Sequence, residues 1–465
     1  MTGEQRHFVV VGGGLAGLAS AVWLTEAGQR VTLLERRGSL GGRTIAMPQP
    51  AVDDVPDNGQ HVFASGYENV FRYLESVGTR EHVCFPGRLG YRFPGDDTTS
   101  TSLHNVDKFL KRVPGITVGE RLRAAAATLR LMAQSLRQPH DLDAITAAEW
   151  FDRLGMPRSV QHALWDGMTI GLTGDKPELS AAKPLADLMA TGAKQALKLR
   201  TPISIGYPTV DLDTLYLAGA RRVFAERGVD VRHRAVVRSI DVEDGAVTGV
   251  TLTDGERVPA DAVICAVPVW SIRGLLDQVP GHEEVYRAAE ILQPVPIVSV
   301  NLYLDRSIGM QEWGEVLYDG LGVLEQVWDR QRMHGRSPER SWFYSTTVSA
   351  SYDLIGLSNA EITGRQMEML RRYYPEARDA QVLHSHVVRM PRSTITQHPG
   401  SFGVRPGVET QVDGLALAGD WLQTGWTITM EGACQSAARA VDHLLSVTSV
   451  RSSRSPRPRS SRASL

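Results

Sequence analysis

The sequence predicts an α/β protein: a parallel sheet built from a βαβ unit and a β-meander, joined to a mixed α+β second domain and a helical insertion. Three stretches carry that prediction. Val9-Val10-Val11-Gly12-Gly13-Gly14-Leu15-Ala16-Gly17 leads through a helical segment into Arg30-Val31-Thr32-Leu33-Leu34-Glu35, so strand, glycine turn, helix, strand and acid follow in one register. A run of short alternating strands begins at Gly228 and ends in the apolar Ala260-Asp261-Ala262-Val263-Ile264-Cys265-Ala266-Val267-Pro268. Gly414 to Asp420 is a further apolar strand closed by Gly-Asp, and a helix opens after it near Met430.

In the first unit Gly12 permits the tight turn out of the strand, Gly14 lets the backbone approach a pyrophosphate, and Gly17 lets the helix pack on the sheet. The helix beginning at Leu15 and Ala16 offers unpaired N–H groups and the positive end of its dipole to that pyrophosphate. Glu35 ends the second strand, where a carboxylate can accept both ribose hydroxyls. A surface turn would not bring all five features into register, so the unit reads as a Rossmann-like dinucleotide site. Arg36-Arg37-Gly38-Ser39-Leu40-Gly41-Gly42-Arg43-Thr44 then decides between dinucleotides. A simple nicotinamide site needs no second glycine loop. An extended FAD needs more main chain, here at Gly42, and a cation along its diphosphate, here Arg43, with Arg36 beside it.

Asp57-Asn58-Gly59-Gln60-His61 precedes a strand with residues that tolerate left-handed geometry, which places Asn58 and Gly59 in a turn near the cofactor. Tyr67 to Gly78 reads as a helix, and 80–200 as a mostly helical insertion. Within it, residues 107–138 interleave Lys108, Lys111, Arg112, Arg121, Arg123, Arg130 and Arg137 with apolar residues. Such a segment either lies in a membrane interface or presents a solvated basic face. Asp244-Gly245 and Asp254-Gly255 are hairpin turns in the meander. Residues 290–305 and 342–350 read as strands, 358–373 as a helix, and 387–393 as the end of a second, mixed domain. The resulting division is 1–79, 206–285 and 400–446 for an FAD-binding domain, 80–205 and 286–399 for a substrate or lid domain, and 447–465 for a disordered basic tail.

Composition excludes little. Apolar residues make up 42 %, charged residues 22 %, and the net charge is −2, so no nucleic-acid partner is expected. Cys84, Cys265 and Cys434 lack ligand spacing and read as free thiols in a reducing compartment, with no metal site. The first strand begins too early for a signal peptide, and no uncharged apolar run approaches the ~20 residues that span a bilayer. A soluble or peripheral, intracellular protein is expected. The expected location is cytoplasmic, and peripheral on the inner face of the cell membrane if 107–138 lies in the interface.

Assembled, the chain resembles the FAD-dependent amine oxidase and phytoene desaturase superfamily. The resemblance rests on GGGLAGL…LLERRGSLGGRT, VVRSI…ADAVICAVP and LALAGDW…TMEGACQSA. Within it, DNGQHVFASGYENVFRYLESVG and RMPRSTI look like the branch of plant-type carotenoid desaturases and hydroxysqualene dehydroxylase, the Asp-Asn-Gly-Gln-His form being most like the dehydroxylase. The resemblance implies that Gly12, Gly14, Gly17, Glu35 and Arg43 hold the ADP half of FAD and that Val237 meets the adenine through its backbone. Gly419 and Asp420 would hold the diphosphate and ribityl chain. Thr429, Met430 and Ala433 would open the helix at the flavin pyrimidine edge. Amine oxidation is the competing activity, but the position of one cage aromatic is Thr429. A large apolar isoprenoid is the substrate implied, with hydroxysqualene to squalene, in hopanoid biosynthesis, first and carotenoid desaturation as the alternative. Asp57, His61 and Arg389 are the candidate catalytic residues, Glu431 and Arg392 two further polar groups, and Trp421, Trp426, Tyr344 and Phe343 candidate tunnel walls. The electron donor or acceptor is left open. An FAD-bearing surface protein without turnover is the non-enzymatic alternative.

Overall fold

In a computed structural model the described residues are 5–47, 55–86, 90–93, 110–111, 113, 115–138, 140–199, 204–318 and 324–452. The centre of the fold is a five-stranded parallel sheet in the order 415–417, 262–265, 7–11, 30–35, 230–233. Its strands are almost wholly buried and accordingly read as continuous apolar runs. Helix Leu15–Glu26 is buried from Leu15 to Thr25, packed between that sheet and the last helix, Met430–Ser452. A helix apolar all round is what a helix covered on all sides requires. On the other side of the sheet lies the antiparallel meander Val237–Glu243, Ala246–Leu252 and Arg257–Pro259. Asp244 and Gly245 both take positive φ, the geometry of the tight hairpin their identities predict.

A six-stranded mixed sheet stands beside this unit, in the order 382–395, 294–304, 342–349, 324–329, 314–318, 90–92. One of its faces is covered by helix Asn359–Tyr373 through Val298, Val300, Leu302 and Tyr344. Alternation puts Ser299, Asn301, Tyr303 and Phe343 on the opposite face. Helices Val118–Arg137, Ala147–Leu154, Asp166–Thr173 and Ala182–Leu199 form a bundle around Trp150, Phe151 and Trp165.

Besides its helices, the stretch 80–200 contributes a short strand, Gly90–Arg92, which joins the six-stranded sheet parallel to Gly314–Tyr318. Asp230–His233 is the edge strand of the parallel sheet rather than the first strand of the meander, since it hydrogen-bonds to Thr32–Glu35. Strands Gly314–Tyr318 and Leu324–Asp329 were not legible, being short and interrupted by charged residues. The last helix continues to Ser452, into the stretch expected as tail; 453–465 lie outside the described residues, as do Asp107, Lys108 and Arg112 of the basic segment. Among the described residues no helix is long and apolar enough to cross a membrane and no group of side chains could hold a metal ion. Cys265 and Cys434 are buried free thiols and Cys84 is half-buried.

Candidate functional site

The groove at the carboxyl ends of strands 7–11 and 30–35 is made of main chain. Gly41 N–H donates to the Gly13 carbonyl at 2.8 Å, and Gly14 and Gly41 form an isolated bridge, so the two glycine loops are stitched edge to edge. Helix Leu15–Glu26 starts from Gly14 with no side-chain cap, which leaves its first-turn N–H groups facing the groove. The glycines differ in why they are glycine. A Cβ on Gly17 would lie 1.8 Å from the Gly12 carbonyl oxygen, and Gly12 holds φ +105° beside Ala266, so these two are demanded by packing and turn geometry. A Cβ on Gly14 would meet nothing nearer than Gly42 Cα at 4.0 Å. Gly14 is open toward the groove, as a backbone kept bare for a ligand would be. That cradle, together with uncapped N–H groups, fits the diphosphate of a dinucleotide.

Glu35 accepts from Gly13 N–H and Arg37 N–H, each at 2.8 Å, one on each carboxylate oxygen. Each oxygen keeps a second lone pair, which is where ribose hydroxyls would bond. Arg234 and Ala235 N–H donate to the carbonyls of Arg37 and Glu35, bringing the start of strand Val237–Glu243 to the same end of the groove. Arg36 is exposed there. Arg43 and Asp420, far apart in the chain, meet: Arg43 Nη2 donates to Asp420 Oδ1 at 2.7 Å, Nη1 donates to the Ser393 carbonyl, and the guanidinium lies over Trp270. Asn58 Nδ2 donates to the Arg43 carbonyl and Asn58 N–H to the Ile45 carbonyl, which locks the 57–60 turn to the second glycine loop. Gly419 takes φ +152° and donates its N–H to Ser436 Oγ. Arg405, which sequence reasoning missed, holds the following loop by donating to the carbonyls of Asp420, Trp421, Leu422 and Trp426. Burial lowers its pKa to about 10.

At the helix opening, the Thr429 carbonyl accepts from Ala433 N–H, and Met430 Sδ accepts from Tyr216 OH. Glu431 caps a neighbour: its carboxylate accepts from Asn69 N–H, Asn69 Nδ2 and Val70 N–H, the first turn of helix Asn69–Val77. It is thereby a structural carboxylate. A cavity of about 250 Å³ opens beside it, bounded by Asn69, Thr191, Lys194, Trp426 and Gln435.

The candidate catalytic residues separate. Asp57 and His61 lie together under the Ser299–Phe343 face. Asp57 Oδ1 accepts from Leu212 N–H, and Oδ2 accepts from Arg330 Nη2 at 2.5 Å in an ion pair that is 3 % and 1 % exposed. Arg330 also bonds Gln60 Oε1 and lies over Phe343. Burial raises the Asp57 carboxyl, and Arg330 opposes that shift. Burial first, then Arg330 and Arg43, hold the His61 imidazole down at about 4, so it is neutral near pH 7. Arg389 is on the other side. It opposes Val298, whose face packs on helix Asn359–Tyr373, and it bonds Asn359 Oδ1 and the Leu357 carbonyl. Strand alternation excludes it from the site, and Arg392 is exposed. Of the aromatic candidates, Phe343 stacks on Tyr303 facing the site and Trp426 borders the cavity. Tyr344 and Trp421 are core.

Residues 15–445 match the family described as flavin containing amine oxidoreductase. Among curated proteins, the chain is 26 % identical over 454 residues to the 15-cis-phytoene desaturase, chloroplastic/chromoplastic, of Arabidopsis thaliana, covering 92 % of this chain and 78 % of that one. It is 27 % identical over 494 residues to the zeta-carotene desaturase of Zea mays, covering 94 % and 83 %. Among solved structures, cyclohexylamine oxidase from Brevibacterium oxydans superposes with a TM-score of 0.68 at 16 % identity, covering 96 % of this chain and 100 % of that one. A putrescine oxidase bound to putrescine gives 0.71 at 15 % identity, covering 95 % and 99 %. At such identities these structures speak to the fold alone.

Proposed function

This chain belongs to the flavin containing amine oxidoreductase family and is an FAD-dependent oxidoreductase, and from that premise we propose that its substrate is a long apolar isoprenoid rather than an amine. The observation that carries the proposal is Arg330. Its guanidinium is buried at the site face, and the nearby His61 is neutral. Asp57 is already paired with that arginine at 2.5 Å, so an ammonium group entering such a site finds no free carboxylate there to replace its lost hydration. Phe343 and Tyr303 stack as a buried apolar pair on the same face, and the residue that precedes Met430 in the chain is Thr429 rather than an aromatic.

Carotenoid-type desaturation is the reading that the relatives support, since they are named phytoene and zeta-carotene desaturases. FAD, when bound, accepts or returns a hydride. The protein's part is then to exclude water and to orient the isoprenoid beside the cofactor. The helix that opens at Met430 would favour, with the positive end of its dipole, the added negative charge of the reduced cofactor. Desaturation needs one C–H given up as hydride and its neighbour as a proton, and it calls on no dedicated protein acid. Reductive dehydroxylation of hydroxysqualene, the second reading, rests on the Asp57–His61 motif. It needs a proton for the departing hydroxyl, while both Asp57 oxygens accept hydrogen bonds.

Anaerobic FAD-loaded protein is mixed separately with phytoene in lipid and with aliphatic amines, and reduced protein with hydroxysqualene. Bleaching of the flavin band by the polyene precursor supports desaturation, and squalene formation supports the second reading. Rapid reduction by an amine refutes the isoprenoid assignment.

A further inference from the structure

The helix Val118–Arg137 is apolar on two sides. Its inward face is made of the buried Ala124, Ala127, Leu131 and Ser135, and it packs against helices Ala147–Leu154 and Ala182–Leu199. Its outward face carries Val118, Leu122, Leu129 and Leu136, which are 62, 69, 72 and 52 % exposed. At the helical repeat these four fall within about 40° of one another around the axis, in a row about 27 Å long. Ala125, Ala126 and Ala133 are exposed among them. A lone exposed leucine is ordinary, but a continuous apolar ridge is not. Three of the helix's four leucines, Leu122, Leu129 and Leu136, face out, while only Leu131 is turned in among small residues.

Charge flanks the ridge on both sides. Arg121 lies along one edge, and Arg123, Arg130 and Arg137 lie along the other. The one acid of the helix, Glu120, is occupied at its start, bonding Thr117 in a capping box and accepting from Ser159. We infer that this helix docks the protein on an anionic lipid bilayer, with the leucines entering the acyl boundary and the arginines meeting headgroup phosphates. A second copy of the chain is the poorer partner. A two-fold contact along this ridge would set the same arginines against one another.

The docking helix stands one layer from the cavity. Helix Ala182–Leu199 packs against it and supplies Thr191 and Lys194 to the cavity beside Trp426. Lipid docking stands without the isoprenoid assignment, because the test reads binding and involves no substrate.

FAD-loaded protein is sedimented with phosphatidylcholine vesicles, with and without phosphatidylglycerol, beside two variants, Leu122→Ser/Leu129→Ser and Arg123→Gln/Arg137→Gln. The wild type should bind the anionic vesicles, and each variant should bind them at least about tenfold more weakly while keeping its flavin content and melting temperature. Added salt should release the wild type. Equal binding by wild type and variants overturns the proposal, as does equal binding to neutral vesicles. So does a wild-type dimer in solution that the leucine variant dissociates.

Discussion

Replacing Arg330 by Met tests both the stability and the electrostatics of the site. The guanidinium and its partner Asp57 are 1 % and 3 % exposed, so the change leaves a buried carboxylate without its cation and Gln60 without its donor. Breaking such a pair from one side costs about 3–5 kcal/mol. The cost should depend on pH with a definite sign. Burial already raises the Asp57 carboxyl, and losing Arg330 raises it further above its unfolded value. Between those two values the folded variant holds a proton that the unfolded chain lacks, so its stability rises as pH falls, by up to ~1.4 kcal/mol per unit. Relief of His61 and His334, both lowered partly by Arg330, acts in the same direction. The assay is urea unfolding of FAD-loaded wild type and Arg330→Met at mildly acidic and mildly alkaline pH, compared at constant slope. Asp57→Asn combined with Arg330→Met should recover much of the loss and reveal the coupling. A cost below about 1 kcal/mol at alkaline pH, as for an exposed pair, would refute the reasoning. So would a difference that widens as pH falls.

The other predictions concern the groove, a cap and acid stability. Gly14→Ala should melt like the wild type as apoprotein yet bind FAD at least about tenfold more weakly by titration, because its Cβ meets only the ligand space, whereas Gly17→Ala, driven into the Gly12 carbonyl, should lower the apoprotein melting temperature as well. Glu431→Gln, which weakens the hydrogen bonds to Asn69 and Val70, should cost about 1–2 kcal/mol in chemical denaturation while leaving flavin content unchanged. His61 and His334 are lowered to about 4 and about 3, chiefly by burial. Each therefore binds its proton more readily in the unfolded chain, so stability present above pH 6.5 is lost on acidification, by up to ~2.7 kcal/mol per pH unit for the two together. His61→Gln should remove about half of that slope in pH-dependent urea midpoints.

The parts of this protein written locally were legible in the chain itself. A tight turn, a bare backbone at Gly14 and a helix start each depend on residues within one or two turns, so the first 44 residues determined the dinucleotide fold, and Gly41-Gly42-Arg43 distinguished FAD from a smaller cofactor. The hairpin turns and the apolar strands at 262–265 and 415–417 were local in the same sense. Tertiary structure decided what depends on faces and distant partners. Arg330 lies in a basic stretch with Arg332 and Arg336, and nothing nearby marks it as the buried cation, because its partners Asp57 and Gln60 come from a distant loop. Arg389 is assigned to the wrong side until the register with Val298 sets its face, since one step along a strand reverses a side chain. Glu431 looked like the start of its own helix and caps another. The basic segment spelled out cations and leucines without saying which pointed outward; packing of Ala124 and Ala127 against the helical bundle settled that, because only docking fixes which side of a helix is turned away from the core.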